Sequence, residues 1–320
     1  MIGLEDLSLS IAPNDGACRW IRRPDGVEIA LYHLKNAANE PALLFGHCTG
    51  FAAGSYLPLL RAVQRSWPTL RIFAFDARGH GASTSPDLSL GRDAVDARVM
   101  ALDLAAVAAA VREVIGPTAS LHYAAHSLGA TAALAVYALL AETPFTSLTL
   151  FEPPILPAHD HPLHDRFWQG KNALAKGAAQ RRSAWPDAES LAFSLARNSV
   201  FQTIAPELLL HHARAVLRPD PTSGYVLSCS PAVEAATFAA FDRSDLWHAL
   251  PQLRRLAPHL PIRVVVSDLS RATLDPVTAV APDLAKAIHG HLIDIPSCGH
   301  MLCFEQPGAF HRLLIALREF

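Results

Sequence analysis

Residues 125 to 129 read Ala-His-Ser-Leu-Gly and set one hydroxyl, Ser127, between the apolar run Leu121 to Ala125 and the apolar stretch Leu128 to Ala141. A serine hydroxyl is a poor nucleophile at neutral pH and attacks a carbonyl only when a base takes its proton. On a strained strand-to-helix turn, with small neighbours that let strand and helix approach, such a serine is presented to base and substrate. Ala125 stands where the usual Gly-x-Ser-x-Gly spacing has its first glycine, a difference of one methyl group. The pentapeptide alone leaves two readings open, a nucleophile or a buried serine bonded to backbone.

Three further stretches favour the nucleophile. His47 to Phe51, "HCTGF", is a tight polar turn after the first long apolar run. Acyl transfer needs two backbone N–H donors aimed at the developing oxyanion, one from the residue after the nucleophile and one from such a loop. Leu128 and Thr49 are the natural pair. Cys48 stands where a glycine is more usual, and its small size is the expected reason. "DARGHGAS" (76 to 83) packs two glycines and two charged residues into a turn that Asp76 and Arg78 are expected to pin internally. "SCGHMLCFEQPGAF" (297 to 310) sets His300 after a glycine on a loop beyond the last strand candidate. The chain has 16 histidines, and this one differs from the rest by that position.

To bring these residues together the chain needs parallel strands with aligned ends. Apolar runs at 27–34, 41–45, 70–75, 121–125, 147–151, 262–266 and 291–295 alternate with helical spacing at 55–65 and 96–115. That alternation implies an α/β fold with crossover helices, and runs apolar nearly throughout suit strands buried on both faces. A closing helix is expected over the final "AFHRLLIALREF". The alternation breaks between about 153 and 260, where helical patches such as 187–197 and 206–217 occur without a convincing strand.

A chain of 320 residues with 51% hydrophobic content can bury a large core. A net charge of −2 with scattered Lys and Arg gives no electrostatic footprint for nucleic acid or an anionic membrane, so neither partner is expected. The N-terminus lacks a signal-peptide pattern, and the apolar run after Ser127, about 14 residues, is too short to span a bilayer. Five cysteines at no zinc or redox spacing suggest reduced thiols in a cytoplasm and no metal site.

As an ordered set, "HCTGF", "DARGHGAS", "AHSLGA" and "CGHMLCFEQP" resemble the α/β-hydrolase family over about residues 27–152 and 262–320. The resemblance implies an eight-stranded, mostly parallel sheet flanked by helices, with a core of 1–152 and 261–320 and a helical cap of 153–260 inserted after the sixth strand. It implies Ser127 as nucleophile and His300 as general base, in the family's chain order of serine, acid, histidine. Most of the family takes the acid from just after the seventh strand in a Gly-x-x-Asp pattern. Here Ser267 replaces the glycine and Ser270 occupies the acid position. Some branches take it from the end of the sixth strand, where "TLFEPPIL" puts Glu152, so Glu152 is the expected acid with Asp275 and Asp268 as alternatives.

A serine nucleophile disfavours the alkyl-enzyme chemistry of dehalogenases and epoxide hydrolases and favours an activated carbonyl. The expected reaction is hydrolysis of a medium-sized carboxylic ester or lactone through an acyl-enzyme, without cofactor. His47, Phe51, His126 and Trp168 are the expected substrate contacts. The aromatics and histidines of 153–260, among them Trp185, Phe201, Trp247 and His164, either line an apolar pocket or form that segment's own core. Carbon–carbon bond hydrolysis, acyl transfer, cofactor-free oxygenation and ligand reception without turnover remain open on the same fold. The sequence does not distinguish a monomer from a homodimer.

Overall fold

The computed structural model describes residues 18–34, 41–240, 244–268 and 276–320. Eight strands form one sheet: β1 (Cys18–Arg22), β2 (Glu28–Leu34), β3 (Ala42–Gly46), β4 (Arg71–Phe75), β5 (Leu121–His126), β6 (Ser147–Phe151), β10 (Ile262–Ser267) and β11 (His291–Ile295). Their order is β1-β2-β4-β3-β5-β6-β10-β11. β2 pairs antiparallel with β1 and β4, and every other pairing is parallel. The hairpin strand expected at 27–34 is β2; its partner β1, "CRWIR", is not legible in the sequence because Arg19 and Arg22 interrupt the apolar pattern of this edge strand.

The central strands are buried on both faces because their alternate side chains feed two cores. Leu44, Phe73, Tyr123, Leu150 and Val264 join one cluster with helices α2 (Ala97–Ile115) and α3 (Leu128–Ala135). Phe45, Ile72, Ala124, Phe151 and Val265 join the other with α1 (Leu57–Ser66) and the closing helix Pro307–Ile315. α2 begins where Asp96 accepts the Val99 N–H at 2.8 Å and stops at Gly116, whose φ of 89° suits glycine.

Register decides which residues share an edge of the sheet. Gly46 pairs with both Phe75 and Ala125, His126 with Phe151, Phe151 with Val265, and Ser267 with Ile295. The residues that follow these strand ends, His47, Asp76, Ser127, Glu152 and Asp268, therefore emerge along one rim.

The segment between β6 and β10 holds helices α4 (His164–Ala179), α5 (Ala188–Ala196), α6 (Pro206–Val216), α7 (Pro231–Ala239), α8 (Ser244–Ala249) and α9 (Pro251–Leu256). It also holds a small antiparallel sheet, in order β7-β9-β8, of β7 (Ala184–Trp185), β8 (Leu217–Asp220) and β9 (Gly224–Leu227). The expectation of a strand-free segment is thus corrected. Strands of two to four residues show no periodicity, and Pro219 and Asp220 read as loop. Asp220 Oδ1 closes the hairpin by accepting the Thr222 and Ser223 N–H groups at 3.1 and 2.9 Å.

Asp76 and Arg78 both pin the expected turn, but not to each other. Asp76 accepts the Ala53 and Ala82 N–H groups and the Tyr32 hydroxyl at 2.7 to 2.8 Å, while Arg78 donates to Asp103, Asp25 and the Ala94 carbonyl.

Three histidines are buried near these loops, and burial pushes their pKa values down, His47 to about 4 and His80 and His212 to about 3. The unfolded chain protonates them near pH 6.5 while the folded chain resists. Their contribution is therefore complete above about pH 6.5 and is lost as pH falls towards 4, each at up to about 1.4 kcal/mol per pH unit. The urea midpoint is expected to drop steeply between about pH 7 and pH 5; a flat profile would show that these rings open to water in the native state.

Candidate active site

Ser127 follows β5 directly and precedes α3 with φ 53° and ψ −110°, a conformation costly for a residue with a Cβ. It is held there by its N–H, which donates to the Phe151 carbonyl at 2.8 Å, and by its carbonyl, which accepts from Ala130 and Thr131. The turn is tight enough that a Cβ on Gly129 would lie 2.8 Å from the Gly46 carbonyl carbon and 3.0 Å from the Ala125 Cβ. A glycine at 129 is thus a geometric need, and the methyl of Ala125 is what the remaining space admits. Helix α3 is buried throughout and apolar except for Thr131, whose hydroxyl donates to the Pro154 carbonyl at 2.8 Å, and this burial fixes the elbow in the core.

The loop after β3 is tied to this elbow by one bond, Gly129 N–H to the His47 carbonyl at 3.2 Å. His47 is a strut: Nδ1 donates to the Cys48 carbonyl and Nε2 accepts the Ala77 N–H, both at 2.8 Å. Its depressed pKa keeps it neutral, as both bonds require. The neighbouring amides of Thr49 and Leu128 donate to no protein acceptor among the described residues. Two free N–H donors on loops bonded to one another is the arrangement an oxyanion would require. Cys48 is buried, its thiol pushed up to about 12 by burial, so it fills space.

His300 lies on the loop after β11, and two contacts set its ring. Nδ1 stands 3.3 Å from Glu152 Oε2. The His300 carbonyl accepts from His126 Nε2 at 2.9 Å, and the two rings lie 5.0 Å apart. His126 is the residue before Ser127, so this bond fastens the histidine loop beside the elbow. Glu152 is fully buried with φ 50°, and its Oε1 accepts the Ser267 N–H at 2.6 Å. The strand end that lacks the usual acid thus supplies the amide that orients Glu152 instead. Asp268 lies one residue further on, half-buried; Asp275 and Ser270 lie outside the described residues.

A model of the alpha/beta hydrolase family matches residues 43–313. The chain belongs to this family. No curated protein matches the sequence. Among solved structures, E-2-(acetamidomethylene)succinate hydrolase is 18% identical at a TM-score of 0.71, with 95% of this chain and 100% of that one covered. A thioesterase domain from the curacin biosynthetic pathway is 17% identical at 0.64, covering 93% and 98%. A thermophilic esterase from Thermogutta terrifontis is 20% identical at 0.61, covering 94% and 98%. At such identities they share the fold.

Within this alpha/beta hydrolase the other expected contacts divide. His126 has both ring nitrogens occupied, since the Tyr56 hydroxyl donates to Nδ1 at 2.7 Å. Phe51 is buried against His212, Phe304 and Tyr56. Trp168 is 38% exposed on α4 with Lys171 Nζ 4.2 Å from its ring, and no hydrogen bond or ring contact joins it to Ser127, His300 or Glu152 among the described residues. Glu305, which the sequence shows as the Glu-x-Pro helix start behind His300, accepts the Gly299 N–H at 2.9 Å and holds the histidine loop, a role its position does not reveal. Among the described residues no group of three His, Cys, Asp or Glu is placed to hold a metal ion, and no helix is long and apolar enough to cross a membrane.

Proposed function

We propose that the protein is a serine hydrolase that cleaves a carboxylic ester or lactone through an acyl-enzyme, with Ser127, His300 and Glu152 as its triad. The observation that carries this reading is the contact of Glu152 with His300 Nδ1, on a loop that His126 ties to the Ser127 elbow. With Nδ1 facing Glu152, Nε2 is the nitrogen left to take the serine proton. Ser127 Oγ attacks the acyl carbon as Nε2 accepts that proton, and the carbonyl oxygen becomes an anion between the Thr49 and Leu128 N–H groups. The imidazolium, stabilised by Glu152, returns the proton to the departing alkoxide. Water then repeats the cycle and regenerates the hydroxyl.

Residues 153–260 act in this reading as a cap over the rim. What supports it is that His211 Nε2 meets the Gly54 carbonyl at 2.9 Å and His212 Nδ1 meets Ser55 Oγ at 3.0 Å, both just beyond the oxyanion loop. A fluorophosphonate is expected to label the protein once, on Ser127, and p-nitrophenyl esters to be turned over with an initial burst. Labelling elsewhere, or no labelling and no turnover, would sink the proposal.

His126 is a positioning residue, since it holds the His300 backbone and has no ring nitrogen to spare. His126→Leu is expected to lower kcat about a hundredfold with KM little changed, the loss that a displacement of about 1 Å brings. A raised KM at unchanged kcat would instead make His126 a substrate contact.

A further inference from the structure

Where the oxyanion loop meets residues 153–260, several buried polar groups take no part in the acyl transfer. Gly50 comes so close to α7 that a Cβ there would lie 2.7 Å from Glu234 Oε1 and 3.3 Å from Arg181 Nη1. The next residue, Phe51, lays its ring 4.0 Å from that of His212 on α6. Ser55 Oγ accepts the Ala52 N–H at 3.3 Å and has one further partner, His212 Nδ1 at 3.0 Å. The serine proton must therefore go to Nδ1, which leaves the imidazole proton on Nε2. That Nε2–H is a buried donor without an acceptor among the described residues, on a ring that burial keeps neutral with a pKa of about 3.

Two hydroxyls are likewise buried and unpaired, and one guanidinium lies beside them. Thr49 Oγ1 and Ser228 Oγ, each on a residue 8% exposed, have no hydrogen-bond partner among the described residues. Thr49 adjoins Gly50. The Ser228 N–H bonds the Val216 carbonyl at 2.8 Å, and Val216 lies four residues beyond His212 on the same face of α6. Arg181, whose side chain is 23% exposed, meets both Glu234 oxygens through Nη1 alone, at 3.0 and 2.9 Å, so its Nε and Nη2 edge faces no acceptor among the described residues and borders the seam from its solvent side. Burial normally demands partners for such groups, so the imidazole N–H and the two hydroxyls keep bonding capacity for a partner from outside the chain.

We propose that this seam is a subsite for a carboxylate carried by the substrate, so that the preferred substrates are half-esters of short dicarboxylic acids; the proposal rests on the acyl-transfer reading above. A carboxylate has lone pairs only, which matches His212 Nε2–H and the Arg181 fork, whereas an amide brings N–H donors that neither can accept. Glu234 already balances the Arg181 charge, so the directed donors do the selecting. The Thr49 amide belongs to the oxyanion pair and its side chain to the subsite, which limits the spacer between ester and acid to a few carbons.

The test compares monomethyl glutarate, its primary amide and methyl hexanoate by methanol release. Wild type is expected to favour the acid over both others by at least about tenfold in kcat/KM. His212→Phe, which keeps the ring against Phe51, and Arg181→Met are each expected to cut the acid-to-hexanoate ratio about tenfold. Either variant suffices if the other fails to fold. Glutarate binding to Ser127→Ala, measured by calorimetry, is expected to weaken about tenfold when His212→Phe is added. Turnover without acid preference, an amide treated as well as the acid, or binding indifferent to His212 would overturn the subsite while leaving the hydrolase intact. His212-dependent glutarate binding in a protein that cleaves no ester would overturn the hydrolase and keep the subsite.

Discussion

Ser127→Gly is expected to lose at least about 10⁴-fold in kcat and at the same time to melt at a higher temperature than wild type. In the acyl-transfer reading the rate falls because the proposed nucleophile is gone and only the backbone donors remain. The melting point rises because the elbow holds Ser127 at φ 53°, which glycine adopts freely and a residue with a Cβ does not. Relief of such strain amounts to about 1 kcal/mol or more, or roughly 2 °C or more for a chain of this size. Ser127→Ala removes the hydroxyl and keeps the Cβ, so it should lose the same rate without the gain in stability. Ser127→Gly that melts lower than Ser127→Ala, or either variant with turnover near wild type, would refute a strained nucleophile. The positions of other strained residues agree with this account. Ala141 closes the helical segment before β6, and His289 follows the helix ending at Ala287, where left-handed conformations commonly occur. Ser127, Glu152 and Ser297 stand instead at or just past strand ends on the rim that carries the candidate site.

Features made by neighbouring residues were legible in the sequence, and features made by distant contacts were not. The elbow is written in small residues because Gly129 must clear Gly46 and Ala125, a constraint that shows as composition. The parallel strands show as apolar runs because both faces are buried. By contrast, β7, β8 and β9 are too short to carry a period. The anchoring of His300 by His126 joins residues 174 apart, and the hold of Glu305 on the histidine loop depends on a turn geometry that the letters do not encode. His126 and His47 illustrate the general difficulty: histidines beside a candidate nucleophile invite a role against substrate, yet their ring nitrogens are bonded within the protein. Residue type and position do not tell a strut from a contact; the bonding of both nitrogens does.

Glu152→Gln is expected to lower kcat about 10⁴-fold while the fold persists, the loss that follows when a triad carboxylate becomes an amide. Glutamine has the same shape, and its carbonyl oxygen can still accept the Ser267 N–H, so the strained end of β6 keeps its hold. What changes is the group facing His300 Nδ1. If the amide nitrogen is turned there, it presents donors and favours the tautomer with its proton on Nε2, the nitrogen that must be free to accept from Ser127. It also removes the charge that stabilises the imidazolium during attack. KM should change little, because the carboxylate touches histidine and backbone rather than substrate. Asp268→Asn and Asp275→Asn provide the comparison, and both should stay within about tenfold of wild type. A Glu152→Gln enzyme of nearly normal rate beside a collapsed Asp268→Asn or Asp275→Asn would transfer the acid to the seventh-strand loop. The Glu152 contact would then serve only to hold the end of β6 against Ser267.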